Sequence, residues 1–262
     1  MRPHIMARRQ APQTSPIKTA LLAQIFGAII AGGLVQIAWP KLWQIPLAVA
    51  AVQGICAAFI SRKLEAPPWW LWIHLGFMPL VVAANTLDIA PVWWLAAFVV
   101  VLLTFWRTDK SRVPLYLTNA TAADAVAKLL PPQPCHVVDL GCGNGGLLKQ
   151  LALKRPDCEF LGIEHAPLPW LWARVTTMRL PNVHVRRGDL WRQHLGLFEV
   201  VYAFLSPAPM PALWQKAVGE MRPDALLVSN SFEVPGIEPE RTLDVADRRA
   251  TRLFLYRPAE AK

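Results

Sequence analysis

The chain is short of charge. Only 17% of its 262 residues are Asp, Glu, Lys or Arg, against about a quarter in soluble domains. What charge there is avoids the front. Residues 1–106 hold seven Lys/Arg and two Asp/Glu, whereas 107–262 hold twenty and sixteen. No acidic residue precedes Glu65. The four cysteines, Cys56, Cys135, Cys142 and Cys158, form no CxxC and stand in no Cys/His ligand spacing. That excludes a zinc ribbon or disulfide scaffold and leaves reduced thiols. A solenoid-type repeat is missing too. The net charge is +9, but the rear half is balanced and no long basic run occurs, so a nucleic-acid partner is not expected.

The front half is apolar instead. Four stretches, 19–39, 42–60, 68–84 and 90–106, contain no charged residue. Each approaches the length of helix that crosses about 30 Å of hydrocarbon. None carries the polar stripe of a helix buried in a soluble core. Eight of the twelve tryptophans fall in this half, including Trp39, Trp43, Trp69, Trp93 and Trp106 near segment ends, where indoles favour the headgroup layer. Basic residues alternate along the connections. The tail 1–18 has Arg2, Arg8, Arg9 and Lys18. Next come Lys41 alone, then Arg62 with Lys63, then none in 85–88, then Arg107, Lys110 and Arg112. The positive-inside rule then puts both termini on the cytoplasmic side. The first stretch lacks a small-residue cleavage site before "WPKLW" and reads as a signal anchor. A bacterial inner membrane is the expected location. The mitochondrial inner membrane is the alternative, because the tail is Arg-rich and acid-free. His74, Gln24, Gln36, Gln44 and Gln53 are expected to make helix–helix hydrogen bonds.

From Pro131 the pattern changes. Strand-like segments at 136–140, 159–164, 183–189, 199–205 and 225–232 alternate with helix-like ones at 146–154, 170–180 and 210–221. That order predicts an α/β Rossmann-like parallel sheet with helices on both faces. The end breaks the rule. Segments 240–245 and 251–257 both read as strands, and "ADRRA" between them is too short for a crossover, so they should pair as an antiparallel hairpin. A seven-stranded sheet with one reversed strand follows.

The first strand opens into "VVDLGCGNGG" (137–146). Its glycines satisfy G-x-G-x-x-G (Gly141, Gly143, Gly146) and G-x-G-x-G (Gly141, Gly143, Gly145) alike. Asp139 decides between them. A pyrophosphate beside that carboxylate would meet like charge, whereas the ammonium and sulfonium of S-adenosylmethionine would not. Glu164, ending the second strand, can accept both ribose hydroxyls. Asp189, following the third, can accept the adenine amino group, and Leu190 can donate its backbone amide to the ring. Cys142 in the turn and His165 beside Glu164 complete the set at the carboxyl ends of the strands.

These features resemble the class I S-adenosylmethionine-dependent methyltransferases over about 112–262. "RVPLYLTN" (112–119), "RGDLW" (187–191) and "SPAPMPALWQKAVGEMRPDALLVSNSF" (206–232) are similar more narrowly to the membrane-anchored protein-lysine methyltransferases of ATP synthase subunit c and the adenine nucleotide translocase. Residues 107–262 are then the methyltransferase domain. That family has V-P-[FY]-V-P-[ST] where this chain has "VPLYLT", so the resemblance implies Tyr116 and Thr118 near the cofactor. Its mitochondrial members have one hydrophobic segment, not four. Methyl transfer to an amine asks for alignment and desolvation. Tyr202 and Phe204 end the fourth strand and are the candidate catalytic aromatics, with Ser206 and Asn230 behind them. The D/N-P-P-Y motif of DNA amine methyltransferases is replaced by "YAFLSP", and no metal cluster of the catechol type is seen. The expected activity is lysine N-methylation of a membrane or membrane-proximal protein. A lipid, quinone or small-molecule methyltransferase and a non-catalytic cofactor-binding membrane module are the alternatives.

Overall fold

The computed structural model describes residues 16–106 and 116–258. The tail with Arg2, Arg8 and Arg9, the run Arg107, Lys110 and Arg112, and the "VPL" of the pre-strand motif lie outside the described residues. The chain divides into two units, Met1–Trp94 and Leu95–Lys262.

The first unit is helical. It comprises α1 (Pro16–Ala38), a 3-10 turn (Pro40–Gln44), α2 (Pro46–Lys63) and α3 (Trp70–Asn85), while α4 (Pro91–Thr104) straddles the division. The second apolar stretch was expected to be helical from Leu42, but Pro40 and Pro46 split it, and α2 starts at Pro46. Among the described residues one helix, Lys18–Ala38, is long and apolar enough to cross a membrane. Trp70–Asn85 and Pro91–Thr104 are apolar but shorter. Small residues let α1, α2 and α3 approach closely. A Cβ on Gly27 would lie 2.8 Å from Ala57, and one on Gly54 would lie 2.8 Å from the Leu75 carbonyl. Gln53 donates to Gln24 Oε1 at 2.7 Å, and Gln24 Nε2 meets His74 Nδ1 at 3.0 Å. These residues do bond between helices, as polar groups in apolar helix pairs tend to.

The second unit is built on one sheet. Its strands are β1 (His136–Leu140), β2 (Glu159–Glu164), β3 (Val183–Arg187), β4 (Val200–Ala203), β5 (Leu226–Asn230), β6 (Arg241–Asp244) and β7 (Arg252–Tyr256). Their order is β3-β2-β1-β4-β5-β7-β6. The first five pair in parallel, and β7 runs antiparallel to both β5 and β6, which is the expected reversed strand. Helices cover both faces. Val137, Phe160, Val200 and Tyr202 pack under α5 (Ala120–Ala127), α6 (Gly146–Lys154) and α7 (Pro167–Thr177). Val138, Leu140, Val201 and Leu227 pack under α8 (Met210–Glu220). Two differences from the sequence reading stand out. Helix α5, capped by the Asn119 side chain on Ala122 N, was not anticipated. Helix α7 begins at Pro167 rather than Trp170, because proline is tolerated in a first turn.

Candidate cofactor cleft and acceptor site

The site begins where β1 stops. Alternation puts Asp139 on the same side of the sheet as Val137, and there it is 3% exposed. The turn beyond it runs through left-handed glycines, Gly141 (φ +89°), Gly143 (φ +55°) and Gly145 (φ +75°). At Gly145 a side chain is doubly excluded, since a Cβ would also approach Ala173 Cβ to 3.0 Å. On the neighbouring strand Gly162 leaves room for the turn, for a Cβ there would sit 2.7 Å from Cys142 Sγ.

The backbone amides of the turn are already committed. Gly141 N and Cys142 N donate to the Ile163 carbonyl at 2.9 and 3.1 Å, and Gly145 N donates to the Cys142 carbonyl at 2.9 Å. Gly143 N donates to Glu164 Oε2 at 2.9 Å, and Gly146 N to Asn144 Oδ1 at 3.1 Å. A phosphate-binding loop needs such amides free and convergent. Here three of them tie the turn to β2 and two close the turn on itself.

What the turn offers a ligand is negative charge. No Lys, Arg or His pairs with Asp139 or Glu164 among the described residues. Burial, with the Glu164 carboxylate second, pushes the Asp139 carboxyl up to about 8. Burial also raises Glu164, against the opposing amides of Ala166 and Gly143. Each Glu164 oxygen accepts one of those amides and keeps a lone pair for a hydroxyl. A buried acid facing another acid and no cation suits a cationic ligand, so these residues fit S-adenosylmethionine and not a dinucleotide.

Tyr116, Thr118, Asp139, Gly141, Cys142, Asn144, Tyr202 and Phe204 line a narrow cleft. Glu164 joins through its bond to Gly143, and His165 follows it with a buried ring nitrogen, Nε2, that has no partner. Asp189 and Leu190 do not line the cleft. Asp189 is exposed and caps the short turn Leu190–Arg192 through Trp191 N at 3.1 Å.

The two candidate aromatics separate. Tyr202 is 1% exposed. Its hydroxyl meets Thr118 Oγ1 at 2.7 Å and accepts from Asn230 Nδ2 at 2.7 Å. Burial, then the nearby Asp139, holds this phenol well above its usual range. Phe204 is nearer the surface and stacks on Tyr116 with ring centroids 4.8 Å apart. Phe232 completes the cluster, 5.5 Å from Tyr116 and 6.3 Å from Phe204. Phe232 was not anticipated, although it lies two residues beyond Asn230 at the end of β5. Asp247 was missed as well. It accepts from Asn119 Nδ2 at 2.5 Å and Thr251 Oγ1 at 2.6 Å, while Arg249 Nη1 donates to the Leu117 carbonyl at 3.1 Å. The β6–β7 turn thereby clamps the segment that carries Tyr116 and Thr118.

The profile of the ANTKMT methyltransferase domain matches residues 139–241. The mouse adenine nucleotide translocase lysine N-methyltransferase is 30% identical over 177 residues, covering 63% of this chain and 73% of that protein. The chain belongs to this methyltransferase family. It is thus a class I, S-adenosylmethionine-dependent methyltransferase. Other matches are narrower. The release factor glutamine methyltransferase of Escherichia coli is 32% identical over 89 residues, 33% of this chain and 32% of that protein. The chain therefore spans about a third of that first relative. An RNA methyltransferase from Salinibacter ruber, solved with S-adenosyl-L-homocysteine, aligns at 23% identity and TM-score 0.49 over 54% of this chain and 92% of its own.

Proposed function

We propose that this chain is a membrane-anchored lysine N-methyltransferase, acting on a membrane or membrane-proximal protein. The observation that carries the reading is the cluster of Tyr116, Phe204 and Phe232 beside the acidic cleft. Three aromatic rings suit an aliphatic stem ending in an amine. They attract the ammonium form on arrival and exclude water, which favours the neutral amine. S-adenosylmethionine supplies an electrophilic methyl group on a sulfonium when bound. Asp139 would hold its ammonium and Glu164 its ribose hydroxyls, while His165, Asp189 and Leu190, which lie outside the cleft lining, would meet the adenine beyond it. Tyr202 acts as a positioning residue, tying Thr118 to Asn230 beneath the cleft. Phe204 is the side chain that meets the acceptor.

The name of the mouse relative supports lysine as acceptor. The membrane reading rests on the one helix of spanning length and on the outward apolar side chains of the other helices, such as Trp72 and Trp93, each more than two-thirds exposed. Large exposed apolar surfaces of that kind need lipid or protein cover. Four spans with cytoplasmic termini, in a bacterial inner membrane, would present the domain 107–262 at the cytoplasmic surface. The tether raises the local concentration of membrane substrates.

The test uses detergent-purified protein, methyl-labelled S-adenosylmethionine and native membranes. Label running with protein supports the reading. Label in the lipid extract, or none at all, overturns it.

A further inference from the structure

Helix α7 carries an unusual surface. Among the described residues from 116 onward, eight large apolar side chains are exposed. Four of them, Leu171, Trp172, Val175 and Met178, belong to α7 and its cap, with Trp172 at 60% and Met178 at 74% exposure. The other helices packed on the sheet, α5, α6 and α8, show at most one, Leu153 on α6. At 3.6 residues per turn, Leu171, Val175 and Met178 fall within about 60° of one another, with Trp172 beside them. The opposite side, with Ala173 and Thr177, is buried against the sheet unit. Arg174 and Arg179 flank the two edges of the apolar stripe, and both are exposed.

The surrounding charge has one sign. No Asp or Glu occurs anywhere in 165–188, a stretch that carries Arg174 and Arg179 on α7 and just past it and Arg187 at the end of β3, while Arg186 lies on the other sheet face with His184 and Leu197. None of these arginines pairs with a carboxylate among the described residues. An apolar stripe with a tryptophan at its edge and unneutralised arginines along it is the pattern of a helix that lies in a bilayer interface. A solvated helix has no use for the stripe, and the unneutralised arginines beside it favour an anionic surface.

We propose that α7 is a second, peripheral membrane contact. Its stripe enters the headgroup layer, and its arginines meet anionic lipid. The inference rests on the membrane-anchored reading, since the anchor keeps the sheet unit within reach of a bilayer. Helix α7 follows β2 directly, so the contact also orients the strand ends that carry Glu164 and His165. A membrane-embedded acceptor would then meet a fixed cleft instead of a freely tumbling one.

The experiment reconstitutes the full chain in vesicles of phosphatidylcholine and phosphatidylglycerol. A fluorophore is attached at Trp172→Cys in a Cys56→Ala background, the other cysteines being buried. Leu153→Cys provides the exposed control. Docking predicts quenching of the Trp172 site by a lipid-borne quencher and shielding from aqueous iodide, with the reverse at Leu153. Arg174→Ala with Arg179→Ala should lower the docked-to-undocked ratio roughly 30-fold, at the usual strength of an arginine near an anionic surface. Iodide access equal at both sites overturns the proposal. So does shielding of Trp172 from both quenchers, which would mean protein covers α7. Alkaline carbonate extraction of the same vesicles separates the two readings. A chain that resists extraction but leaves Trp172 open to iodide refutes docking alone. A chain that is stripped refutes the anchor and the proposal together.

Discussion

Asp139 should make cofactor binding depend steeply on pH. The perturbation is simple titration. In the cofactor-free protein, burial and Glu164 raise this carboxyl to about 8, so below neutrality it is almost entirely protonated. A sulfonium and an ammonium in the cleft favour the ionised form. Binding therefore selects a minor state, and the apparent affinity scales with its population. With the titration near 8, each unit from pH 5.5 to 7 should raise affinity roughly tenfold, about thirtyfold over the range. Nearly one proton should leave per cofactor bound. Calorimetry in two buffers of different ionisation enthalpy measures both quantities. The stability of the free protein moves the opposite way. An acid whose folded titration point is raised holds its proton more tightly folded than unfolded. Its contribution is then most favourable below the unfolded value of 3.8 and is lost as pH rises toward 8. The loss amounts to about 6 kcal/mol at most. Asp139→Asn should flatten both profiles. A cofactor affinity that does not change between pH 5.5 and 7, with no proton released, would refute the reasoning.

Three further outcomes follow from the geometry. Tyr202→Phe leaves the Asn230 amide without its acceptor inside the core, so urea denaturation should show a loss of about 1–3 kcal/mol. Phe204→Ala and Phe232→Ala should each lower kcat/KM for the acceptor by roughly 3- to 30-fold, the range of a partly desolvated cation–π contact, while equilibrium dialysis finds cofactor affinity little changed. Gly145→Ala forces an alanine into a left-handed backbone against Ala173. Thermal melts should detect a destabilisation of about 1–3 kcal/mol, together with weaker cofactor binding.

The strands and turns were legible where local chemistry decides. Segments 136–140, 146–154 and 159–164 coincide with β1, α6 and β2, because short apolar runs there end at glycines or polar residues. The reversed β7 was legible from the five residues "ADRRA" between the strand-like segments 240–245 and 251–257, too few for a crossover helix. Helix α5 was not, since its cap, Asn119, is held by Asp247, 128 positions away. The same distance problem hid the Tyr202 lock. A tyrosine at a strand end looks like a surface for substrate until Thr118 and Asn230 close on its hydroxyl. Phe204 and Tyr116 are far apart in sequence, so their stacking carried no local signal. The apolar front was legible as composition, but its helix limits depended on Pro40 and Pro46.

The central claim is methyl transfer to lysine at the acidic cleft. Its most direct test is acid hydrolysis and amino-acid analysis of membrane proteins labelled by the purified chain from methyl-labelled S-adenosylmethionine. The account predicts label in N-methylated lysine, lost with Asp139→Ala and reduced with Phe204→Ala. Label in any other residue, or methyllysine formed equally well by Asp139→Ala, would contradict it.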